Sequence, residues 1–169
     1  SVTIDDANTV HAAKEFTEKV LGALGLHDAV FHLEVFLDKA NQLTFLEIGN
    51  RFGGAGVTGL TKRVFDVDLI DEAIRVDTGS PSRLTQSRTC LASECSGAWL
   101  YLPMPSKKAL KVRGLKGVDQ LPESIVYSEI PHPGDTINQA AVPFAASGKF
   151  FIRDRTSALV KQACRQISD

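Results

Sequence analysis

The sequence predicts an α+β chain in two modules, residues 1–80 and residues 90–169, the second a small antiparallel sheet carrying a helix. Three observations lead there. Residues 30–49 alternate apolar and polar on either side of a polar turn at Asp38, Lys39, Ala40 and Asn41, which is the period of a β-hairpin. Segments before and after the hairpin carry apolar residues at three- and four-residue spacing, the period of a helix packed on one side. Beyond the polar stretch 80–89, read as a linker from its Pro, Arg and Ser residues, short β-type runs replace the helical pattern.

The elements follow in order. Asp5 or Asp6 can cap a helix that ends at Gly25, with Val10, Ala13, Phe16, Val20, Leu21 and Leu24 on one stripe. The hairpin spans about 29–49, and a glycine-containing loop runs from Asn50 to Gly59. A short helix covers 60–65. A second, capped by Asp66 or Asp68, runs to about Thr78, with Val67, Ile70, Ala73 and Ile74 on its inner face and Gly79 and Pro81 at its end. In the second module strands are expected at 97–102, 110–112, 124–129, 135–137 and 149–152. A closing helix spans 156–167 with Val160, Ala163, Cys164 and Ile167 inward.

Composition excludes several function classes. Of the 169 residues 43% are hydrophobic and 23% charged, and the formal net charge is −1, so nothing attracts nucleic acid or an anionic membrane in bulk. No apolar run approaches the roughly 18 residues of a membrane span, and no signal peptide is visible at the start. Cys90, Cys95 and Cys164 are read as reduced thiols of a cytoplasmic protein, since the spacing of Cys90 and Cys95 is not that of a zinc site. Lys107, Lys108, Lys111, Arg113 and Lys116 form a basic cluster without interleaved aromatics and read as a solvated edge. His132 and Asp135 sit in a Pro-Gly loop that turn chemistry explains.

The chemistry concentrates on the hairpin. His32, Glu34 and Phe36 share one strand face. If Leu37 pairs with Gln42, Glu47 falls opposite His32, and Glu34 and Glu47 become diagonal neighbours roughly 7 Å apart on that face. Leu46 and Ile48 then join the apolar face. Two carboxylates so close repel unless a cation lies between them, and a hard divalent ion such as Mg²⁺ suits oxygen donors. His32 is read as a packing or hydrogen-bonding residue and is left out of the donor set. Arg51 follows with a planar fork suited to phosphate or carboxylate. Gly53, Gly54 and Gly56 allow sharp turns and bring N–H groups close to an anion.

The stretch HLEVFLDKANQLTFLEIGNRFGG resembles the C-terminal part of the ATP-grasp catalytic domain, in the manner of carboxylate–amine and L-amino-acid ligases and, more distantly, biotin carboxylase. The segment GVTGLTKRVFDVDLIDEAIRVDTG is similar to the helices that follow the ATP-grasp loop, and GKFFIRDRTSALVKQACRQI resembles the close of the C-terminal domain in biotin carboxylase-like ligases. The resemblance implies a C-terminal ATP-grasp lobe followed by a small antiparallel-sheet domain. It implies Mg²⁺ or Mn²⁺ on Glu34 and Glu47, ATP bound near Glu34, Glu47, Asn50, Arg51, Gly53 and Gly54, and Arg51 as the catalytic contact to substrate or acyl phosphate. The family pattern Glu-x-Asn-x-Arg is broken here, because Gly49 fills the Asn position and Asn50 comes one residue late. The substrates implied are a carboxylate and an amine, with no nucleic acid and no membrane. The implied partners are the preceding lobe of the same protein, which the chain lacks, and a second copy in a homodimer. The chain is therefore expected to be a C-terminal portion, inactive in isolation. The alternative is a non-catalytic module that keeps the fold for binding or subunit association.

Overall fold

A computed structural model describes residues 1–84, 95–106, 108–138 and 146–168. The chain divides into two units, Ile4–Ser93 and Glu94–Asp169, the latter joined by Ser1–Thr3.

The first unit begins with α1 (Ala7–Leu24). The Asp6 carboxylate accepts from the Thr9 N–H at 2.8 Å, and Gly25 takes the left-handed conformation (φ 63°) that closes the helix. Of the expected stripe, Ala13, Phe16, Val20 and Leu21 are half-buried, while Val10 and Leu24 are exposed. Strands β1 (His32–Leu37) and β2 (Leu43–Gly49) form the antiparallel hairpin. Its turn is knotted by Asp38, whose N–H donates to the Gln42 carbonyl and whose carboxylate accepts from the N–H groups of Ala40 and Gln42, both at 2.8 Å. Asn41 supplies the positive φ of 59°.

Helices α2 (Val57–Phe65) and α3 (Leu69–Asp77) follow. The first starts three residues earlier than the sequence predicts and buries Leu60 and Val64, one turn apart. Asp68 is the cap of α3, accepting from Ile70 N and Asp71 N and from Lys62 Nζ at 2.6 Å. The predicted inner face of α3 needs correction. Ile70 and Ile74 are exposed, and the buried residue is Glu72, 5% exposed. Its carboxylate accepts from Ser82 Oγ at 2.6 Å and from Arg83 N at 3.0 Å, ending the helix segment with a polar staple. Hydrophobic periodicity could not place a carboxylate inward, because the compensation lies ten and eleven residues ahead in the chain.

The second unit is a three-stranded antiparallel sheet in the order β3 (Ser96–Pro103), β7 (Ala146–Asp154), β5 (Ile125–Glu129), with β4 (Leu110–Lys111) and β6 (Thr136–Ile137) as a separate short pair. Val2 bridges to Ala98, so the first residues extend this sheet. On the central strand Phe150 and Ile152 face a core with Ala98, and α4 (Ser157–Ser168) closes it with Val160 and Ala163. Cys164 and Ile167 pack against the same core as expected. On the opposite face the rings of Tyr127 and Phe151 meet at 5.9 Å. Cys164 is free, but Cys95 is disulfide-bonded, which corrects the reduced-thiol expectation for that residue. The spacing argument tested zinc ligation, and a disulfide makes different demands. Cys90 and Lys107 lie outside the described residues. Among the described residues no helix is long and apolar enough to cross a membrane.

Candidate functional site

The hairpin register decides what the site contains. Leu37 pairs with Leu43, so the turn is one residue longer than the sequence predicts. Continued unbroken, that register would set Glu34 against Leu46 and turn the two glutamates to opposite faces. A bulge between Glu34 and Val35 leaves Leu46 as the extra residue and restores the parity. Glu34 therefore stands directly opposite Glu47, not diagonal to it, and His32 stands opposite Gly49, not Glu47. Phe45 moves to the apolar face opposite Val35.

One ligand atom each from His32, Glu34 and Glu47 lie within 4.8 Å of one another. Both glutamates are exposed, whereas the His32 side chain is only 15% exposed. Its Nε2 is 3.5 Å from Glu47 Oε1, and its Nδ1 is 3.2 Å from the Arg51 carbonyl. The ring lies over Gly49. A Cβ added there would stand 2.3 Å from His32 Cε1 and 2.9 Å from Nδ1. Gly49 is thus the space the imidazole occupies. Sequence reasoning set His32 aside, although its parity with Glu34 was the signal that could have included it.

The loop after β2 carries the remaining expected residues. Asn50 and Arg51 are exposed. Arg51 Nη1 donates to the neighbouring Phe52 carbonyl at 3.0 Å, so the guanidinium folds along its own loop. The left-handed residue of this loop is Ala55 (φ 51°), not Gly53 or Gly54. A Cβ at Gly53 would press on Val57 at 3.1 Å, while Gly54 has open space around it. Close approach therefore constrains Gly53, and the positive φ of this turn falls on Ala55 between the glycines.

Two carboxylates and one imidazole are a donor set a divalent ion can use. Donors each about 2.1 Å from a shared ion lie about 3.0 Å apart at a right angle and about 4.2 Å apart when opposite. The 3.5 Å between Nε2 and Oε1 falls inside that span. The three atoms together lie within 4.8 Å of one another, a little wider than that span, so the donor set suits a divalent cation once a side chain closes in.

Three further groups have shifted acidity. Asp68 is held below the ordinary carboxylate range, first by its hydrogen bond from Lys62 and then by the Asp71 N–H. Asp6 is lowered by the Thr9 hydroxyl and N–H. Burial pushes the Cys164 thiol up. In the second unit a cavity of about 680 Å³ has apolar walls including Leu102, Ile137 and Phe150, with Lys111, Arg113 and Lys116 also lining it. These three cations are exposed.

No protein-family model matches the chain, and no curated protein matches it. Solved structures do. The chain is similar to phosphoribosylglycinamide synthetase from Anaerococcus prevotii (14% identity, TM-score 0.69), over 95% of this chain and 40% of that one. It is similar to L-amino acid ligase from Bacillus licheniformis (18%, 0.68), over 96% and 40%. It is also similar to N5-carboxyaminoimidazole ribonucleotide synthetase from Thermotoga maritima (16%, 0.65), over 95% and 41%. The chain therefore spans well under half the length of these proteins. What it shares with them is a fold, over about two-fifths of their length, with the mixed helices and small antiparallel sheets that the sequence led one to expect.

Proposed function

We propose that this chain is the C-terminal portion of an ATP-dependent carboxylate–amine ligase, working through an acyl phosphate that the amine displaces. The observation that carries the reading is the cross-strand Glu34–Glu47 pair with His32 beside it, followed directly by the Arg51 loop. Mg²⁺ or Mn²⁺ with ATP, when bound, supplies the phosphoryl group and the charge neutralisation such a transfer needs. Glu34 and Glu47 hold the cation from opposing strands. Arg51 turns its fork from Phe52 towards the oxygens of the substrate carboxylate or its phosphate and orients them. Asn50, Gly53 and Gly54 lie along the same loop towards α2, where the nucleotide phosphates are expected.

Exposed apolar side chains support a larger assembly. On the hairpin Phe36 is 61% exposed, and Leu37, Phe45 and Leu46 are each more than two-fifths exposed. On α3 Ile70 and Ile74 are exposed one turn apart. Surfaces of this kind are usually covered, and the preceding lobe of the same protein is the covering we propose, with a homodimer as a further arrangement. The proposal includes a cytoplasmic setting, though the bonded Cys95 removes the thiol argument for it.

The second reading, a non-catalytic module, is favoured by one observation: Gly49 stands where the family pattern has a side-chain ligand. The test is turnover by the complete protein containing this chain. ATP hydrolysis that requires both a carboxylate and an amine, and is abolished by Glu34→Gln or Glu47→Gln, supports the ligase. ATP turnover that is absent, or indifferent to both glutamates, rejects it.

A further inference from the structure

We infer that His32 is a third ligand to the cation held by Glu34 and Glu47, occupying the volume that a side chain at position 49 would otherwise fill, and that the site consequently favours Mn²⁺ over Mg²⁺. The inference rests on the metal-site reading above and adds a ligand to it.

Three features of the ring support it. First, its orientation is fixed. A carbonyl oxygen can only accept, so the Nδ1 atom 3.2 Å from the Arg51 carbonyl carries the hydrogen. In the neutral ring the lone pair is then on Nε2. Metal-binding histidines are commonly oriented this way, one ring nitrogen donating to a backbone carbonyl and the other left free to ligate. Second, Nε2 lies 3.5 Å from Glu47 Oε1. A lone pair facing a carboxylate is unfavourable unless a cation, or a proton on the ring, lies between them. Third, the ring is packed where it is. With 15% of its side chain exposed and Gly49 beneath it, it has little freedom to swing out.

The donor chemistry sets the preference. Mg²⁺ takes oxygen donors and keeps several waters, whereas imidazole is a good ligand for the first-row divalent ions. Replacing an amide oxygen at position 49 with an imidazole nitrogen at position 32 moves the site towards Mn²⁺.

The test uses residues 1–169 and metal ions alone. Calorimetric titration of the wild-type chain with Mn²⁺ and with Mg²⁺ is expected to show tighter Mn²⁺ binding. His32→Gln is expected to weaken Mn²⁺ about tenfold or more and Mg²⁺ less than about twofold. Zn²⁺, as a diamagnetic probe, is expected to shift the ¹⁵N resonance of His32 Nε2 while His11, His27 and His132 stay in place; this needs no variant. Binding that Glu34→Gln and Glu47→Gln abolish, but that leaves His32 Nε2 unshifted and His32→Gln unchanged in Mn²⁺ affinity, overturns the inference and leaves the two-carboxylate site standing. Binding that neither glutamate variant affects overturns both.

Discussion

Replacing Gly49 with alanine isolates the contact that shapes the site. The backbone at Gly49 is not in the left-handed region, so alanine is allowed there. By itself the change should stabilise the chain by about 0.4–1 kcal/mol, through the unfolded state. The added Cβ, however, would lie 2.3 Å from His32 Cε1. The ring must turn, leaving its rotamer at about 0.5–1.5 kcal/mol and losing the hydrogen bond to Arg51 at about 1 kcal/mol. Taking the middle of each range, the loss is about 2 kcal/mol against a gain of about 0.7, a net destabilisation of about 1 kcal/mol. The same substitution in a His32→Ala background meets no ring, and its sign should reverse. Urea denaturation of the four proteins of this cycle, with unchanged m-values, measures the coupling. The reasoning is refuted if Gly49→Ala is stabilising in the wild-type background, or if its effect is the same with and without His32.

The remaining predictions concern charge and capping. Glu34→Gln should stabilise the metal-free chain by about 0.2–1 kcal/mol, because like charges directly opposite across strands repel; a loss of stability in urea would mean that the pair is held together by something other than a cation. Glu72→Ala should cost about 1–3 kcal/mol by removing the acceptor of the half-buried Ser82 hydroxyl and of the Arg83 N–H; a change below 0.5 kcal/mol, about the size of a neutral surface substitution, would contradict that role. The lowered acidity of Asp68 means that the folded state favours its carboxylate, so its stabilisation is intact above the ordinary aspartate range and is lost as pH falls below about 4. Circular dichroism as the pH is lowered from neutral through about 4 should show that loss, and Asp68→Ala, which costs about 1 kcal/mol at neutral pH, should flatten it. In the complete protein Arg51→Lys should lower turnover on the order of 10²-fold, since charge is kept but the two-pronged geometry is not; unchanged turnover would make Arg51 structural. Calorimetry of residues 1–169 with Mg-ATP should show no micromolar binding, because exposed charge pairs are worth only about 1 kcal/mol each in water. Micromolar binding would mean that the nucleotide site is complete in this chain.

Much of the architecture was legible because it rests on local rules. The α1 cap at Asp5 or Asp6 and its Gly25 terminator, the α3 cap at Asp66 or Asp68 and the Val160–Ala163 face of α4 follow from periodicity and capping chemistry that a sequence displays directly, and the structure selects Asp6 and Asp68. The motif that resembles ATP-grasp ligases lies in one contiguous stretch, so it too could be read without coordinates. The inward Glu72 could not be read, since its partners sit beyond the helix that presents it. Nor could the pairing within the site. Turn length and the bulge at Leu46 each shift the register by one residue, and their sum, not either alone, puts Glu34 opposite Glu47. Alternation along a strand fixes which residues share a face, but pairing between strands depends on hydrogen-bond closure across the turn and on where an extra residue is tolerated. That tertiary register set His32 over Gly49, beside the two glutamates.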